Sequence, residues 1–403
     1  MIIHQGSIKL QIFLAYIVIG GLPFYYFLRE WIEISSSFYA GLLSLLFLVS
    51  LNQILRSKIN PKSLEKKFFI LEIMIALDIL FIFLYLGHIE RSLALLVVTL
   101  YISKGLFALK TKHGFKTASN IITCSAFIAA IGIIFGLFEL MFGSSYFFIQ
   151  KMGFDYPYSD GLKETILVNG FFASPNSSAY AIGAGLAFLK FQNIFQDKLK
   201  GMLYIFFIIA LISTKTKFVF LIAATYLGFI LCQKMSIKLL MLYLLLLGMS
   251  YLFLSHIMIA LSGAYDYPSL HFREKLFSIG SIDFILGNYG MFKLYSLEAI
   301  SSNLFLPGGL LSFVNTYEGR PHFMLGGLMI SGGIMTAVLV YSYIYFLLKD
   351  SWNEVLIGIK DHQLYLTIMF CFIVETFNWN FTNNFYFWAI IMGLGSINKY
   401  KNI

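Results

Sequence analysis

Long apolar runs separated by short polar segments make up most of the chain. The apolar residues lack the strict alternation that the strands of a membrane barrel need, so the pattern predicts α-helices. About 20 apolar residues cross the hydrocarbon layer of a bilayer. The sequence therefore predicts twelve membrane-spanning helices, near residues 8–28, 35–55, 68–86, 92–109, 120–142, 170–190, 201–213, 217–232, 239–262, 322–348, 363–377 and 382–396.

Two pairs of predicted spans are less regular than the others. The seventh and eighth spans are short, and only the polar segment Ser213–Lys217 separates them. They form either a tight re-entrant pair or a pair of tilted helices. The last two spans are interrupted by four asparagines, Asn378, Asn380, Asn383 and Asn384.

Composition agrees with this pattern. Of the 403 residues, 59% are hydrophobic and only 12% are charged, whereas soluble domains contain about 25% charged residues. We therefore expect an all-α, polytopic integral-membrane domain that covers residues 1–403. The net charge of +9 is expected to report membrane orientation and not a nucleic-acid partner.

The distribution of basic residues orients the predicted helices. With both termini placed in the cytoplasm, roughly two thirds of the 29 Lys and Arg residues fall on the cytoplasmic side, as the positive-inside rule requires. Two outer loops then exceed the length of a turn, 143–169 and the large loop 263–321 between spans nine and ten. Long loops often carry function. A multi-pass membrane protein with a functional site on the outer side is therefore expected.

Basic residues that remain on the outer side need a reason to be there. They lie at the start of span eight, early in the large loop and at its end: Lys215, Lys217, Arg273, Lys275, Arg320 and His322. If these segments converge, the cluster suits a phosphate or diphosphate held at the outer membrane surface. The alternative is that each side chain extends to the interface or pairs with a loop acid.

Two further outer segments could contribute chemistry. His322 follows Pro321 at the start of span ten, where a histidine can orient a hydroxyl or take its proton; otherwise it is an interfacial histidine without a chemical role. The segment Asn169–Ala179, with sequence NGFFASPNSSA, breaks the backbone before a helix of small residues that can pack closely. Its alternative interpretation is a simple loop-to-helix junction with a serine cap.

Charged residues inside the predicted spans need partners because charge is costly in the bilayer. These residues are Glu72, Asp78, Lys104, Glu139 and Glu375. Glu72 and Lys104 are predicted to form a structural ion pair, and Glu139 lies close enough to the outer end of span five to face the outer site. The sequence has no nucleotide-sugar motif and no cluster of metal ligands. A transferase with this sequence would therefore use a lipid-linked donor, without a metal or other cofactor.

Four stretches together resemble the superfamily of O-antigen polymerases and O-antigen ligases, which are bacterial envelope glycosyltransferases. The stretch Gly170–Ala179 is similar to the family's Gly-x-Phe-x-x-Pro-Asn segment, and Ser213–Leu221 is similar to its Thr-x-Thr-Arg opening of a span. Arg273–Gly290 resembles the family's loop segment, and His322–Gly332 keeps its spacing of histidine and glycine. The topology of about twelve spans with one dominant outer loop is also similar.

The sequence departs from the family pattern at three positions. Lys217 stands where arginine is usual, which keeps the charge but loses the bidentate fork. Phe323 replaces the polar residue that commonly follows the histidine. Met335 stands where glycine or another small residue is common. The first five spans resemble the family only in hydropathy.

The resemblance implies a multi-pass, GT-C-like enzyme of the bacterial inner membrane that uses a glycan on undecaprenyl diphosphate at the periplasmic face. It implies inverting, metal-independent glycosyl transfer, in which cations bind the departing diphosphate and a histidine acts on the acceptor. On this basis His322 is expected on the acceptor side and Lys217 and Arg273 on the diphosphate. The expected binding set also includes Arg320 on diphosphate or sugar, together with Lys215, Asn176 and Glu139.

The resemblance leaves two reactions open. A polymerase joins lipid-linked repeat units of a surface polysaccharide, and a ligase transfers the glycan to the lipid A core of lipopolysaccharide. We favour the polymerase, because the departures at Lys217 and Phe323 suit the more divergent polymerases. Expected partners are the lipid-linked glycan, membrane lipid and a chain-length regulator protein. A transporter or flippase of lipid-linked sugars is the alternative from a different class, but it would concentrate charge at mid-membrane and show repeated halves.

Overall fold

The computed structural model describes residues 2–32, 36–57, 63–107, 114–142, 149–152, 165–172, 174–214, 216–231, 239, 241–249, 306–310, 312–313, 323–376, 380–382 and 384–401. These residues are mostly helical. The helices are α1 (Ile2–Ala15, continued by a π-helical turn, Tyr16–Gly20), α2 (Leu22–Ile32), α3 (Ser36–Ser57), α4 (Ser63–Leu86), α5 (Arg91–Phe107), α6 (Gly114–Phe142), α7 (Pro175–Phe188), α8 (Asp197–Ser213), α9 (Lys217–Leu231), α10 (Met324–Glu375) and α11 (Phe385–Lys401). Residues 241–249 are also helical.

The helical fold class predicted from the sequence is confirmed. Four helical segments are long and apolar enough to cross a membrane, Ser37–Leu55, Lys67–Leu86, Gly114–Glu139 and Met324–Lys349. Shorter apolar helices occur at Gly6–Gly20, Phe218–Ile230, His362–Glu375 and Phe385–Leu394. Each predicted span, where the structure describes it, contains a helix. The count of twelve membrane crossings stays a prediction.

The element α10 covers both the tenth and the eleventh predicted spans, but it is not one continuous helix. The backbone leaves helical geometry at Gly333 and again at His362, so a break lies where the eleventh span was expected to begin. The connection 350–361 is itself helical, which the prediction did not include; it contains no proline that would stop a helix.

A small β-hairpin lies within the predicted outer loop 143–169. Strand β1 (Ile149–Met152) pairs antiparallel with β2 (Thr165–Val168), with Ile149 opposite Val168. The hairpin packs against α6. The end of this loop is therefore tied to α6 immediately before the chain enters α7.

The faces of α4 show what surrounds the helices. Large apolar side chains such as Ile70, Leu77 and Leu84 are more than half exposed, and α4 packs mainly against α10. A helix that exposes this much apolar surface is stable where lipid is the solvent.

Helix α7 is the opposite case, because it lies at the centre of the bundle. Almost every residue from Ser178 to Phe188 is buried, and α7 packs against α6, α8, α9, α10 and α11. Its small residues permit the close approach: a Cβ atom on Gly185 would lie 2.1 Å from the Cβ of Ala126 on α6. The expectation that small residues let this helix pack closely is confirmed.

Helices α8 and α9 have different neighbours. Helix α8 packs against α6 and α7, whereas α9 packs against α10 and α7. This favours two separate helices over a tight re-entrant pair. Helix α8 starts at a water-exposed ion pair, with Lys200 Nζ 2.9 Å from the carboxylate of Asp197. The hydrogen bond and charge of Lys200 lower the pKa of the Asp197 carboxyl.

The predicted ion pair between Glu72 on α4 and Lys104 on α5 is confirmed. Tyr101 and Tyr343 also donate their hydroxyls to Glu72, at 3.4 and 3.3 Å. The carboxylate is 3% exposed and joins α4, α5 and α10 at one point. The pair lies well inside the helices and away from their predicted outer ends, as expected of a structural ion pair.

Candidate functional site

Among the helices that begin at the predicted outer end of the bundle, four have first turns that lie close together. These are α7, α9, α10 and α11. The backbone N–H of Met324, at the start of α10, donates to the carbonyl of Thr376 at 2.9 Å. This bond joins the first turn of α10 to the turn that precedes α11.

Tyr180 connects these helix ends. Its ring centroid lies 5.0 Å from that of Phe218 in the first turn of α9 and 4.9 Å from that of Phe381 before α11. Its hydroxyl donates to the carboxylate of Glu375 at 3.4 Å. Tyr180 is 2% exposed. Its side chain is therefore buried between the start of α9, the end of α10 and the turn before α11.

The start of α7 has the local structure that its sequence dictates. Ser174 is extended and its hydroxyl accepts the N–H of Ser177 at 3.2 Å, while Pro175 occupies the first helical position. Serine caps and first-turn prolines are favourable for this reason. Asn176 is half-buried in this first turn. The hydroxyl of Ser178 donates to the carbonyl of Asn169 and ties the preceding segment to the helix.

The predicted sixth span therefore starts later than expected, at Pro175 and not at residue 170. Gly170 has φ +64°, a conformation that favours glycine. A Cβ atom at Gly170 would also lie 2.9 Å from the backbone of Gly132 on α6. The segment before α7 is thus a fixed turn packed directly on α6, and the interpretation of a simple junction with a serine cap describes only its last residues.

An asparagine-rich turn between α10 and α11 also belongs to this end of the bundle. A Cβ atom at Gly327, in the first turn of α10, would lie 2.1 Å from Nδ2 of Asn380. The side-chain oxygen of Asn380 accepts the N–H of Thr382 at 3.1 Å, and that of Asn384 accepts the N–H of Phe387 at 3.0 Å. In the sequence, these asparagines were interpreted only as interruptions of two spans. Amide side chains between two apolar runs can also indicate a polar site.

The structure describes only part of the predicted site. Asn176 lies at the start of α7, and Glu139 is buried in the last turn of α6. The backbone of Lys217 begins α9, and the ring of the next residue, Phe218, packs against the ring of Tyr180. The predicted residues Lys215, Arg273, Arg320 and His322 lie outside the described residues.

Residues that neighbour two of these positions in the chain are described. Thr216, between Lys215 and Lys217, is buried, and its hydroxyl lies 3.2 Å from that of Thr214. Phe323, the residue after His322, is 3% exposed and stands in extended geometry before α10. The chain therefore enters the bundle at these two points next to Tyr180 and the asparagine-rich turn.

The gathering of helix starts has an electrostatic consequence. The first turn of a helix presents backbone N–H groups without helical partners, and the helix dipole adds partial positive charge. Helix starts of this kind can bind anions such as phosphate, although in three of these first turns an N–H already has a partner: that of Met324 donates to Thr376, that of Ser177 to Ser174 and that of Phe387 to Asn384. Three described carboxylates are buried toward the predicted outer end of the bundle, those of Glu90, Glu139 and Glu375.

Comparison of the chain with models of protein families found no matching family, and comparison with curated proteins found no match.

Proposed function

We propose that this protein is a membrane glycosyltransferase that joins undecaprenyl-diphosphate-linked repeat units of a surface polysaccharide at the periplasmic face. The observation that carries the proposal is the meeting of the starts of α7, α9, α10 and α11 above Tyr180. Three of these helix starts carry family-like stretches: Gly170–Ala179 at α7, Ser213–Leu221 at α9 and His322–Gly332 at α10. The twelve-span, GT-C-like architecture is part of the same proposal.

The proposed reaction is a single displacement. An acceptor hydroxyl attacks the anomeric carbon of the donor sugar as the bond to the diphosphate breaks, and the diphosphate leaves with the electron pair. Lys217 and Arg273 hold the diphosphate, and Arg320 holds the diphosphate or the adjacent sugar. Their charge, added to the helix-end N–H groups, stabilises the negative charge that develops on the leaving group. His322 orients the acceptor hydroxyl and takes its proton.

Variants of the proposed cations give a graded test. Lys217→Ala and Arg273→Ala should abolish long glycan chains while the protein stays in the membrane, because diphosphate binding loses a charge. Lys217→Arg should stay active, because the charge is kept. His322→Ala should also abolish long chains, but without weakening donor binding. The measurement is glycan chain length on a gel beside a blot for protein level.

Matched controls come from the same loop. Lys275→Ala and Lys293→Ala should give nearly wild-type ladders, because we interpret these side chains as solvated. Wild-type ladders from both Arg273→Ala and His322→Ala at normal abundance would contradict the proposed site and favour ordinary interfacial charges.

A deletion strain separates the possible reactions. Loss of a polymerase leaves core bearing a single repeat unit, whereas loss of a ligase leaves bare core and lipid-linked polymer. Loss of a flippase traps lipid-linked repeats on the inner leaflet. We expect the first pattern, restored to a ladder by the wild-type chain.

The orientation in the membrane has its own test. We expect Lys58 and Lys112 to be cytoplasmic and Asp155 and Lys293 to be periplasmic, because the basic loops stay inside. Single cysteines at these positions are labelled with an impermeant reagent in intact spheroplasts. Labelling at position 112 without labelling at position 293 would show that the membrane orientation is the opposite of the predicted one. The parent chain, which has three cysteines of its own, supplies the background.

A further inference from the structure

Helix α10 is broken near its start. Gly333 has φ +76° and ψ −178°, far from helical values. In a continuous helix the carbonyl of Ile330 would accept the N–H of residue 334. Because Gly333 turns the chain away just before that residue, the Ile330 carbonyl needs another donor.

The end of the large predicted loop supplies that donor. The backbone N–H groups of Gly308 and Gly309 both donate to the Ile330 carbonyl, at 3.1 and 3.0 Å. Gly309 has φ +77°, a conformation that favours glycine. The loop segment 306–310 thus caps the outer half of α10, Met324–Gly332.

Glu90 holds this loop segment in place from the turn between α4 and α5. One carboxylate oxygen accepts the N–H of Leu310 at 3.3 Å, and the other accepts the hydroxyl of Ser92 at 3.1 Å. The Ser92 and Ser331 hydroxyl oxygens are 2.8 Å apart. Since Ser92 gives its only proton to Glu90, Ser331 donates to Ser92. Glu90 is 6% exposed, so its bonds are shielded from competing water.

We propose that Glu90 is a positioning residue that latches the loop segment 306–310 to the outer half of α10. Through Leu310 it fixes the cap on Ile330, and through Ser92 it fixes Ser331, close to the break. The far end of the same half-helix is held by the bond from Met324 to Thr376. Glu90 therefore sets where the start of α10 lies in the candidate site. Its effect on glycan synthesis rests on the proposed function, but the latch itself does not.

The latch works through hydrogen bonds, and this makes it testable with two variants. In Glu90→Ala both bonds are lost. In Glu90→Gln the amide oxygen still accepts from Leu310, and the NH₂ group donates to Ser92, which then donates to Ser331. We therefore expect Glu90→Gln to restore what Glu90→Ala loses.

The direct measurement is amide hydrogen exchange of the full-length protein in detergent, followed by mass spectrometry. Glu90→Ala should speed exchange in peptides covering 306–310 and 324–332 by roughly tenfold, the factor that corresponds to about 1.4 kcal/mol. Peptides from α7 should not change. Unchanged exchange at 324–332 in Glu90→Ala, or equal acceleration in Glu90→Ala and Glu90→Gln, would overturn the proposal.

Two neighbouring glycines provide a matched pair. Gly309→Ala places a side chain on a left-handed residue and should speed exchange at 324–332, whereas the Cβ of Gly308→Ala meets only the Ile330 carbonyl at 3.8 Å and should not. Combining Glu90→Ala with Gly309→Ala should add little to either, because both release one latch. Fully additive effects would contradict a shared latch.

The glycan ladder separates the two proposals. If the latch positions the site, Glu90→Ala shortens the ladder at normal protein level and Glu90→Gln restores it. A wild-type ladder together with faster exchange would overturn the positioning role. If the wild-type chain makes no ladder, the proposed function fails, while hydrogen exchange still decides whether the latch exists.

Discussion

Removing either partner of the Glu72–Lys104 pair is expected to lower the free energy of unfolding by about 3–5 kcal/mol, because one buried charge is left without its partner. Glu72 has two tyrosine hydroxyls as further donors, but these do not neutralise it. The ring centroid of Tyr101 lies 5.9 Å from the ammonium group of Lys104, but an aromatic ring does not neutralise that charge. Membrane proteins destabilised this far are degraded, so we expect Lys104→Met and Glu72→Gln each to reduce protein abundance.

The double variant should recover much of this loss. In Glu72→Gln the amide oxygen would accept one of the two tyrosine hydroxyls and the NH₂ group would donate to the other. A methionine at position 104 would fill the volume of the lysine stem without a charge. Replacing a buried pair by neutral groups is often close to neutral in free energy. Abundance on a blot and thermal unfolding in detergent measure both effects.

The exposed pair Asp197–Lys200 serves as the control. Asp197→Asn should leave abundance unchanged, since solvent screens this pair. Single variants at Glu72 or Lys104 that are abundant but produce no glycan would contradict a structural role and make the pair part of the mechanism.

Gly185→Ala is the second change with a large expected effect. The new Cβ would lie 2.1 Å from the Cβ of Ala126 and 3.2 Å from the ring of Phe207, so α7 and α6 must separate. Overpacking of this kind costs about 1–3 kcal/mol or more. Because α7 contacts five other helices, we expect a lower thermal unfolding temperature and reduced abundance.

A compensating swap tests the cause. Adding Ala126→Gly to Gly185→Ala removes the closest atom and leaves the Phe207 ring, which can move, so stability should largely return. Gly41→Ala is the control, because its Cβ meets nothing within 4 Å and alanine favours the helix. Equal losses in Gly185→Ala and Gly41→Ala, or no recovery in the swap, would show that the contact with α6 is not the cause.

The asparagine-rich turn and the α10 break show why part of the site could not be predicted. The sequence shows four asparagines in this turn and the adjacent glycines Gly308 and Gly309. Local propensity does not say what any of these residues contacts. Asn380 matters because it lies against Gly327, which is far earlier in the chain. Gly333 can leave the helix because Gly308 and Gly309 supply the lost donors, and the position of Glu90 matters because it accepts the N–H of Leu310, which is far later in the chain.

The sequence also did not show which helices are buried inside the bundle. The segments Lys67–Leu86 and Gly114–Glu139 have the same mean hydropathy, yet 17% of the first and 56% of the second is buried inside the protein. Lipid and protein interior are both apolar, so hydropathy does not separate a helix that faces lipid from one that faces its neighbours. For the same reason the central place of α7 could be suspected from its small residues but not established.

The sequence by itself determined that the chain is mostly helical, approximately where most of the described helices lie, and that Glu72 pairs with Lys104. Apolar run length measures a helix directly, and two charges at equal depth on consecutive antiparallel helices have few other partners. Only the tertiary structure decided which helices gather at the candidate site, which glycines must remain glycines, and what holds the broken start of α10. Those properties depend on contacts between residues far apart in the chain, which neither hydropathy nor local propensity encodes.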